Sequence, residues 1–111
     1  MSELLQKKCL ACEGGIPALS PEQAQDLLKQ LPHWELKEEN RALLRHFQFK
    51  NFYRTMAFVN AIAWLAHQEN HHPDLEVGYN YCRVRYSTHA LNGLSENDFI
   101  CAAKVSALLA E

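Results

Sequence analysis

Residues 67–98 read HQENHHPDLEVGYNYCRVRYSTHALNGLSEND, and the fold turns on how they are divided. Pro73 biases the residue before it away from helical geometry, so a helix entering this stretch must stop close to His71 and His72. Beyond the proline, two short strands are predicted over residues 75–79 and 82–88, joined by a tight turn near Asn80. In the second strand Cys82, Val84, Tyr86 and Thr88 share one face, and Arg83, Arg85, Ser87 and His89 share the other, which gives an apolar inner and a polar outer surface. Gly93 breaks the chain, and Ser95 with Asp98 three residues later starts another helix. The stretch is therefore a helix end, a hairpin and a helix start, with His71, His72 and His89 flanking the hairpin.

Working towards the N-terminus, Asn51 can cap a helix whose apolar row is Phe52, Met56, Val59, Ala63 and Ala66, widened by Phe58, Ile62 and Leu65. As the longest and most apolar helix, it is expected at the centre of the core. Before it, Trp34-Glu35-Leu36 and residues 42–49 read as two strands about a polar turn at residues 37–40. Arg45 falls on the same parity as Leu43, Phe47 and Phe49, which leaves the inward face of the second strand open. Ser20-Pro21-Glu22-Gln23 supplies an N-cap, a proline at the first helical position and a capping-box partner, and Ala24, Leu27, Leu28 and Leu31 form one stripe that ends at Pro32. On the C-terminal side, Phe99, Ile100, Ala102, Ala103, Val105 and Leu109 give a final amphipathic helix. The order α-β-β-α-β-β-α is that of an α+β fold, a single four-stranded antiparallel sheet with helices packed on one face. Residues 1–19 show no sustained period and read as a loosely ordered arm, laid on the domain or partly mobile; residues 20–111 make the single domain.

At 111 residues with 48% in the hydrophobic set, the chain can bury one modest core. A charged fraction of 22% and a net charge of -2 lack the basic footprint of a nucleic-acid binder and the composition of an acidic disordered tail. No apolar run nears the roughly 20 residues of a membrane span, and the charged N-terminus lacks a signal-peptide core, so a cytoplasmic protein with no membrane or nucleic-acid partner is expected. Four irregularly spaced cysteines suit reduced thiols better than a disulfide framework.

Histidine is the side chain whose ordinary pKa, about 6.5, lies nearest neutrality, and at a helix C-terminus the macrodipole favours its charged form. His71 and His72 can thus serve as acid catalysts or merely cap terminal carbonyls. His89, leaving the strand on its polar face, can complete a pocket with them. A competing metal reading pairs His67 with His71 at i, i+4 and adds Cys9 and Cys12, but no further spaced pair completes a four-ligand set, so no metal is expected. Cys82 and Cys101 fall on apolar faces and read as core residues. Arg83 and Arg85 could meet an anion or simply solvate an exposed face. Phosphate loops and nucleophile elbows are missing.

Taken in order, Glu69-Asn70-His71-His72-Pro73-Asp74, Val77-Gly78-Tyr79-Asn80, Val84, Ser87-Thr88-His89 and Gly93-Leu94-Ser95-Glu96-Asn97-Asp98-Phe99 closely resemble the pterin-4a-carbinolamine dehydratases, in a bacterial-type form. The resemblance runs from about Ser20 to Leu109 and includes Leu31 to Trp34 and Phe49 to Phe52. It implies the same four-stranded sheet, and loss of water from the 4a-hydroxytetrahydrobiopterin left by aromatic amino-acid hydroxylases, with no metal or organic cofactor. It further implies catalytic His71, His72 and His89, with His71 and His89 as the acid/base pair and His72 holding the pterin. Pro73, Ser87, Thr88 and Asp98 join His72 as substrate-binding residues by the same resemblance. A dimer or tetramer is implied, and some animal members also act as protein-interaction modules, which the last helix could serve. His67 and Asn70 replace acidic residues found in some members, and Asn97 replaces an arginine, leaving Asp98 as the acidic member of the site.

Overall fold

The computed structural model describes residues 3–10 and 17–109. Its elements run α1 (Glu3–Gln6), α2 (Pro21–Leu28), β1 (Glu35–Lys37), β2 (Ala42–Gln48), α3 (Phe52–Glu69), β3 (Asp74–Val77), β4 (Tyr81–Tyr86), a 3₁₀ turn (His89–Leu91) and α4 (Glu96–Ala107). The strands form one antiparallel sheet in the order β1-β2-β4-β3. Leu43 pairs with Tyr86, Arg45 with Val84 and Phe47 with Cys82, so one face of the central pair is buried under the helices. The expected α+β architecture is the one observed.

Arg45 does point inward. It is buried, its Nη1 donates to Ser106 Oγ on α4 at 3.0 Å, and its guanidinium lies 4.2 Å from the centroid of Phe47. Trp34 Nε1 donates to the same Ser106 oxygen at 2.9 Å. A charge on the inward face is tolerated because it is hydrogen-bonded and stacked on an aromatic ring. The opposite face is polar: Arg85 bridges Glu38 and Asp74, and Arg83 pairs with Glu76, which ties these two arginines into the sheet surface.

Caps follow the sequence. Ser20 Oγ accepts from Gln23 N–H, and Gln23 Oε1 accepts from Ser20 N–H. Asn51 Oδ1 accepts from Arg54 N–H. Helix α2 stops at Leu28, short of the stripe's end, because Lys29, Gln30 and Leu31 bond to carbonyls three residues back and tighten the last turn. The hairpin strands are shorter than expected over residues 75–79 and 82–88. The ring of Tyr81 covers Gly78, leaving no room there for a Cβ, and Gly78 N–H donates to Tyr81 O at 3.0 Å, which closes a tight turn over Tyr79 and Asn80. At the far end Thr88 N–H leaves the ladder for Gly93 O at 2.8 Å.

One expectation is overturned: α3 is not the centre of the core. Four of its eighteen residues are buried, Thr55, Phe58, Ile62 and Leu65, against eight of twelve in α4. Helix α4 is enclosed by β2, α1 and α3, whereas α3 lies outside that stack with contacts to α4 and β4. The inward face of α3 is therefore the row first read as a widening, and Tyr53 (80% exposed) and Trp64 (62%) face solvent. For the same reason α4 has little free surface to offer a protein partner. Of the arm, residues 3–10 lie against α4: Leu4 is in the core, Lys7 pairs with Glu96, and Leu10 exchanges backbone hydrogen bonds with the Asn97 side chain. Cys12 lies outside the described residues. Among the described residues no helix is long and apolar enough to cross a membrane.

Candidate active site

Asn70 ends α3 in the left-handed conformation (φ 53°, ψ 42°), a geometry that asparagine accepts more readily than most side chains. His71 N–H then reaches back to Ala66 O at 3.2 Å, so the chain reverses before Pro73 and β3. This single reversal sends two adjacent histidines to different environments. His71 is 8% exposed, its ring stacked on Tyr86 at 5.7 Å and 12°, while His72 is exposed.

Behind His71 stands Asp98, fully buried in the first turn of α4. Its Oδ1 lies 2.7 Å from His71 Nε2, and its Oδ2 accepts from Thr88 Oγ1 at 2.7 Å and from Ser95 N–H at 2.9 Å. Ser95 Oγ and Thr88 Oγ1 are 2.8 Å apart, which closes the network. An ionised carboxylate only accepts, so the proton on the shared contact belongs to Nε2, and in the neutral ring Nδ1 is left as the acceptor. Asp98 is thus the carboxylate that orients His71, although neither Glu nor Asp stands at positions 67 and 70.

His89 is held by a separate device. Thr88 and Gly93 bridge across a 3₁₀ turn whose C-cap, Asn92, is left-handed (φ 49°), and His89 opens that turn instead of extending the strand. Its exposed ring meets that of His72 edge to face, with centroids 6.2 Å apart. Together Asn70, the three histidines, Ser87, Thr88 and Ala90 line one cavity of about 280 Å³. That is near the lower end of the roughly 300–1,000 Å³ usual for small-molecule sites. A larger cavity of about 400 Å³, beside the arm and α2, is lined by residues such as Leu10, Pro17, Leu19 and Leu27, with Asp26 and Glu96, and its described walls hold no histidine, cysteine or serine.

The structure therefore brings His71, His72, His89, Ser87 and Thr88 to one cavity, but not Asp98 or Pro73. Asp98 lies behind His71, too deep to touch a ligand in the cavity, and Pro73 serves to turn the chain from α3 into β3. Ser87 Oγ is engaged with the carbonyls of Arg41 (3.0 Å) and Gly93 (3.4 Å), and Thr88 is buried with its hydroxyl on Asp98. Both are better placed to hold the wall than to donate to a ligand. Tyr86, the platform under His71, shows in the sequence only as an inward-facing strand position; its burial, next to the electrostatic influence of Cys101, Cys9 and Asp98, pushes the phenol far above its usual pKa, so it stays neutral. His67 is exposed beside Trp64, and among the described residues no group of three or more His, Cys, Asp or Glu side chains gathers as a metal site would.

Comparison with known proteins agrees with this architecture. The profile described as pterin 4 alpha carbinolamine dehydratase matches residues 17–108. A Legionella pneumophila (strain Corby) protein, provisionally named pterin-4-alpha-carbinolamine dehydratase, is 64% identical over 111 residues, 99% of this chain and 98% of the relative. One of the same provisional name from Nitrosomonas eutropha is 63% identical over 108 residues, covering 96% and 94%. Among solved structures, a transcriptional coactivator/pterin dehydratase from Brucella melitensis superposes with a TM-score of 0.79 at 30% identity, over 83% of this chain and 98% of that one. A pterin dehydratase-like RuBisCO assembly factor of the alpha-carboxysome does so at 0.60 and 28%, over 68% and 87%. A match spanning the sheet, all three histidines and the carboxylate behind them, together with relatives above 60% identity along nearly their whole length, places this chain in the pterin 4 alpha carbinolamine dehydratase family.

Proposed function

We propose that the protein is a 4a-hydroxytetrahydrobiopterin dehydratase that acts in tetrahydrobiopterin recycling, in the cytoplasm, downstream of an aromatic amino-acid hydroxylase. The observation that carries this reading is the convergence of His71, His72 and His89 on one cavity, with Asp98 orienting the first. In the proposed step a base takes the N5 proton, the C4a–O bond breaks as an acid protonates the departing hydroxyl, and the electrons of the N–H bond become the C4a=N5 double bond of the quinonoid dihydropterin. Water leaves, and the two proton transfers balance. His71, with Nδ1 free to accept, is the base; His89 is the acid; His72 packs against the pterin. Side chains with pKa near about 6.5 can supply both protonation states at neutral pH, and each proton transfer is worth roughly 10²–10⁴-fold.

The test is direct. Chelator-treated protein should accelerate the decay of chemically generated 4a-carbinolamine, and no acceleration over buffer would overturn the assignment.

A protein-interaction role is the second reading, favoured by the exposed aromatic residues Tyr53 and Trp64 on α3. The titles of the two structural neighbours name a coactivator and an assembly factor. A stable partner found together with an inactive assay would rank it first. Self-association fits the same surfaces: β3 is a free sheet edge whose inward-facing Leu75 and Val77 are exposed, and a second copy could cover it. Light scattering should then report a dimer or tetramer; a monomer would remove that part of the proposal.

A further inference from the structure

Cys9 on the arm and Cys101 on α4 are 92 positions apart in sequence, yet their sulfurs lie 3.3 Å apart. We propose that these two thiols are an oxidation site, converted to a disulfide by exchange with a low-molecular-weight disulfide, and that the bond fastens the N-terminal arm to the helix behind the histidine wall. The site does not depend on the dehydration chemistry.

The geometry is held from both sides. Cys9 N–H donates to Glu69 Oε1 at 2.9 Å, and the next residue, Leu10, donates its N–H to Asn97 Oδ1 at 2.9 Å and accepts from Asn97 Nδ2 at 2.7 Å. Cys9 Sγ also lies 3.7 Å from Asn97 O. The backbone is thus registered against the end of α3 at Cys9 and against the first turn of α4 at Leu10. A disulfide needs the sulfurs at about 2.05 Å, so an approach of little more than 1 Å suffices. The arm can supply it without disturbing the sheet.

Access is asymmetric, as exchange requires. Cys9 is half-buried and reachable, whereas Cys101 is fully buried. Attack of the Cys9 thiolate on oxidised glutathione gives a mixed disulfide and releases one glutathione. Cys101 then displaces the second glutathione from Cys9 Sγ, and its proton leaves with that thiol. In sum two protein thiols are oxidised, one glutathione disulfide is reduced, and both protons end on the two glutathiones. The hydrogen bond to Cys9, and then burial, push the Cys101 thiol far above its usual pKa. That assigns the first attack to Cys9, and the bond to Cys9 is lost once Cys9 carries glutathione. Cys82, buried in the sheet with its thiol pushed up to about 11 by burial, is inert at neutral pH by comparison.

The bond would sit close to the active-site wall. Cys101 is one helical turn beyond Asp98, and Tyr86, the platform for His71, lies within the electrostatic reach of Cys101 and Cys9.

Oxidised glutathione is added to the full-length protein, which is then digested with trypsin without reduction, and the sulfur positions are located by fragmentation. The expected product links peptide 9–29 to peptide 86–104 through Cys9 and Cys101. A cross-link closing so long a loop should raise Tm by about 10 °C, reversibly with dithiothreitol. Cys12→Ser should retain both results, and Cys101→Ala should leave glutathione on Cys9 with no gain in Tm. A Cys9–Cys12 bond, a persistent glutathione adduct on wild-type Cys9, or no oxidation would each overturn the proposal. Because mapping reads the bond itself, its failure is distinct from that of the dehydration assay.

Discussion

His71 and His72 are neighbours in sequence and opposites in surroundings. His71 is clamped between Tyr86 and Asp98, and its fixed orientation costs a ligand nothing further to organise. His72 and His89 meet edge to face and are both exposed, with no clamp of comparable depth. One wall of the cavity is built before a substrate arrives and the other is able to adjust to it. The difference teaches where to expect loss of rate and where loss of stability: the exposed pair should matter to chemistry and hardly to folding, the buried wall to both.

The sharpest way to break that contrast is to remove the open wall. His72→Ala and His89→Ala should each lower kcat/KM for the 4a-carbinolamine by about 100-fold or more while shifting stability by no more than about 0.5 kcal/mol. Full activity in both variants would dissolve the site assignment, and a large loss of Tm in either would show that the open wall is structural after all. Next in size is Asp98→Ala, which orphans Ser95 N–H and His71 Nε2 and leaves Thr88 Oγ1 with Ser95 Oγ alone. Removing one side of a buried charged network costs about 3 kcal/mol, so urea unfolding should show a loss of that order together with a fall in kcat. Wild-type stability for Asp98→Ala would mean that His71 is not held from behind.

Much of this contrast was legible in the sequence and some of it was not. The helix starts at Ser20, Asn51 and Ser95 could be read because a cap is a local device, three residues long. Pro73 likewise marks the reversal that separates His71 from His72. The depth of α3 could not be read: its composition is the most apolar of the helices, but burial depends on which helix the sheet encloses, and that is settled by packing between elements far apart in the chain. Asp98 shows the same limit. Its place three residues after Ser95 announces a capping acid, and one oxygen does accept from Ser95 N–H, but the histidine on its other oxygen lies 27 residues away. The platform role of Tyr86 had no signal beyond its inward parity with Cys82 and Val84.

A smaller effect tests whether the reversal at Asn70 is anchored from the preceding residue. Burial alone would raise the carboxyl pKa of Glu69, but the amide of Cys9 and the ammonium of Lys104, 2.8 Å away, outweigh it and hold the carboxyl below its ordinary 4.5. A depressed carboxyl contributes its stability above the ordinary value and loses it as pH falls through the lower, folded value. Glu69→Gln should therefore cost about 1.5 kcal/mol at pH 7, and the gap between variant and wild type should narrow once the pH drops below 4.5. A gap independent of pH would assign the loss to packing instead of charge.

The smallest expected change has the opposite sign. The Tyr86 hydroxyl is buried with no well-formed hydrogen bond among the described residues and only the Cys101 thiol, a weak partner, near it, so its desolvation cost is poorly compensated. The ring, in contrast, is fully used as the surface on which His71 stacks. Tyr86→Phe keeps that ring and removes the poorly compensated oxygen, and should stabilise the protein by about 1 kcal/mol while leaving kcat/KM within about twofold of wild type. Tyr86→Leu keeps apolar bulk but loses the aromatic face, and should lower kcat more than it lowers Tm. If Phe and Leu behaved alike in both measurements, stacking would contribute nothing to the orientation of His71, and the buried wall would rest on the Asp98 contact alone.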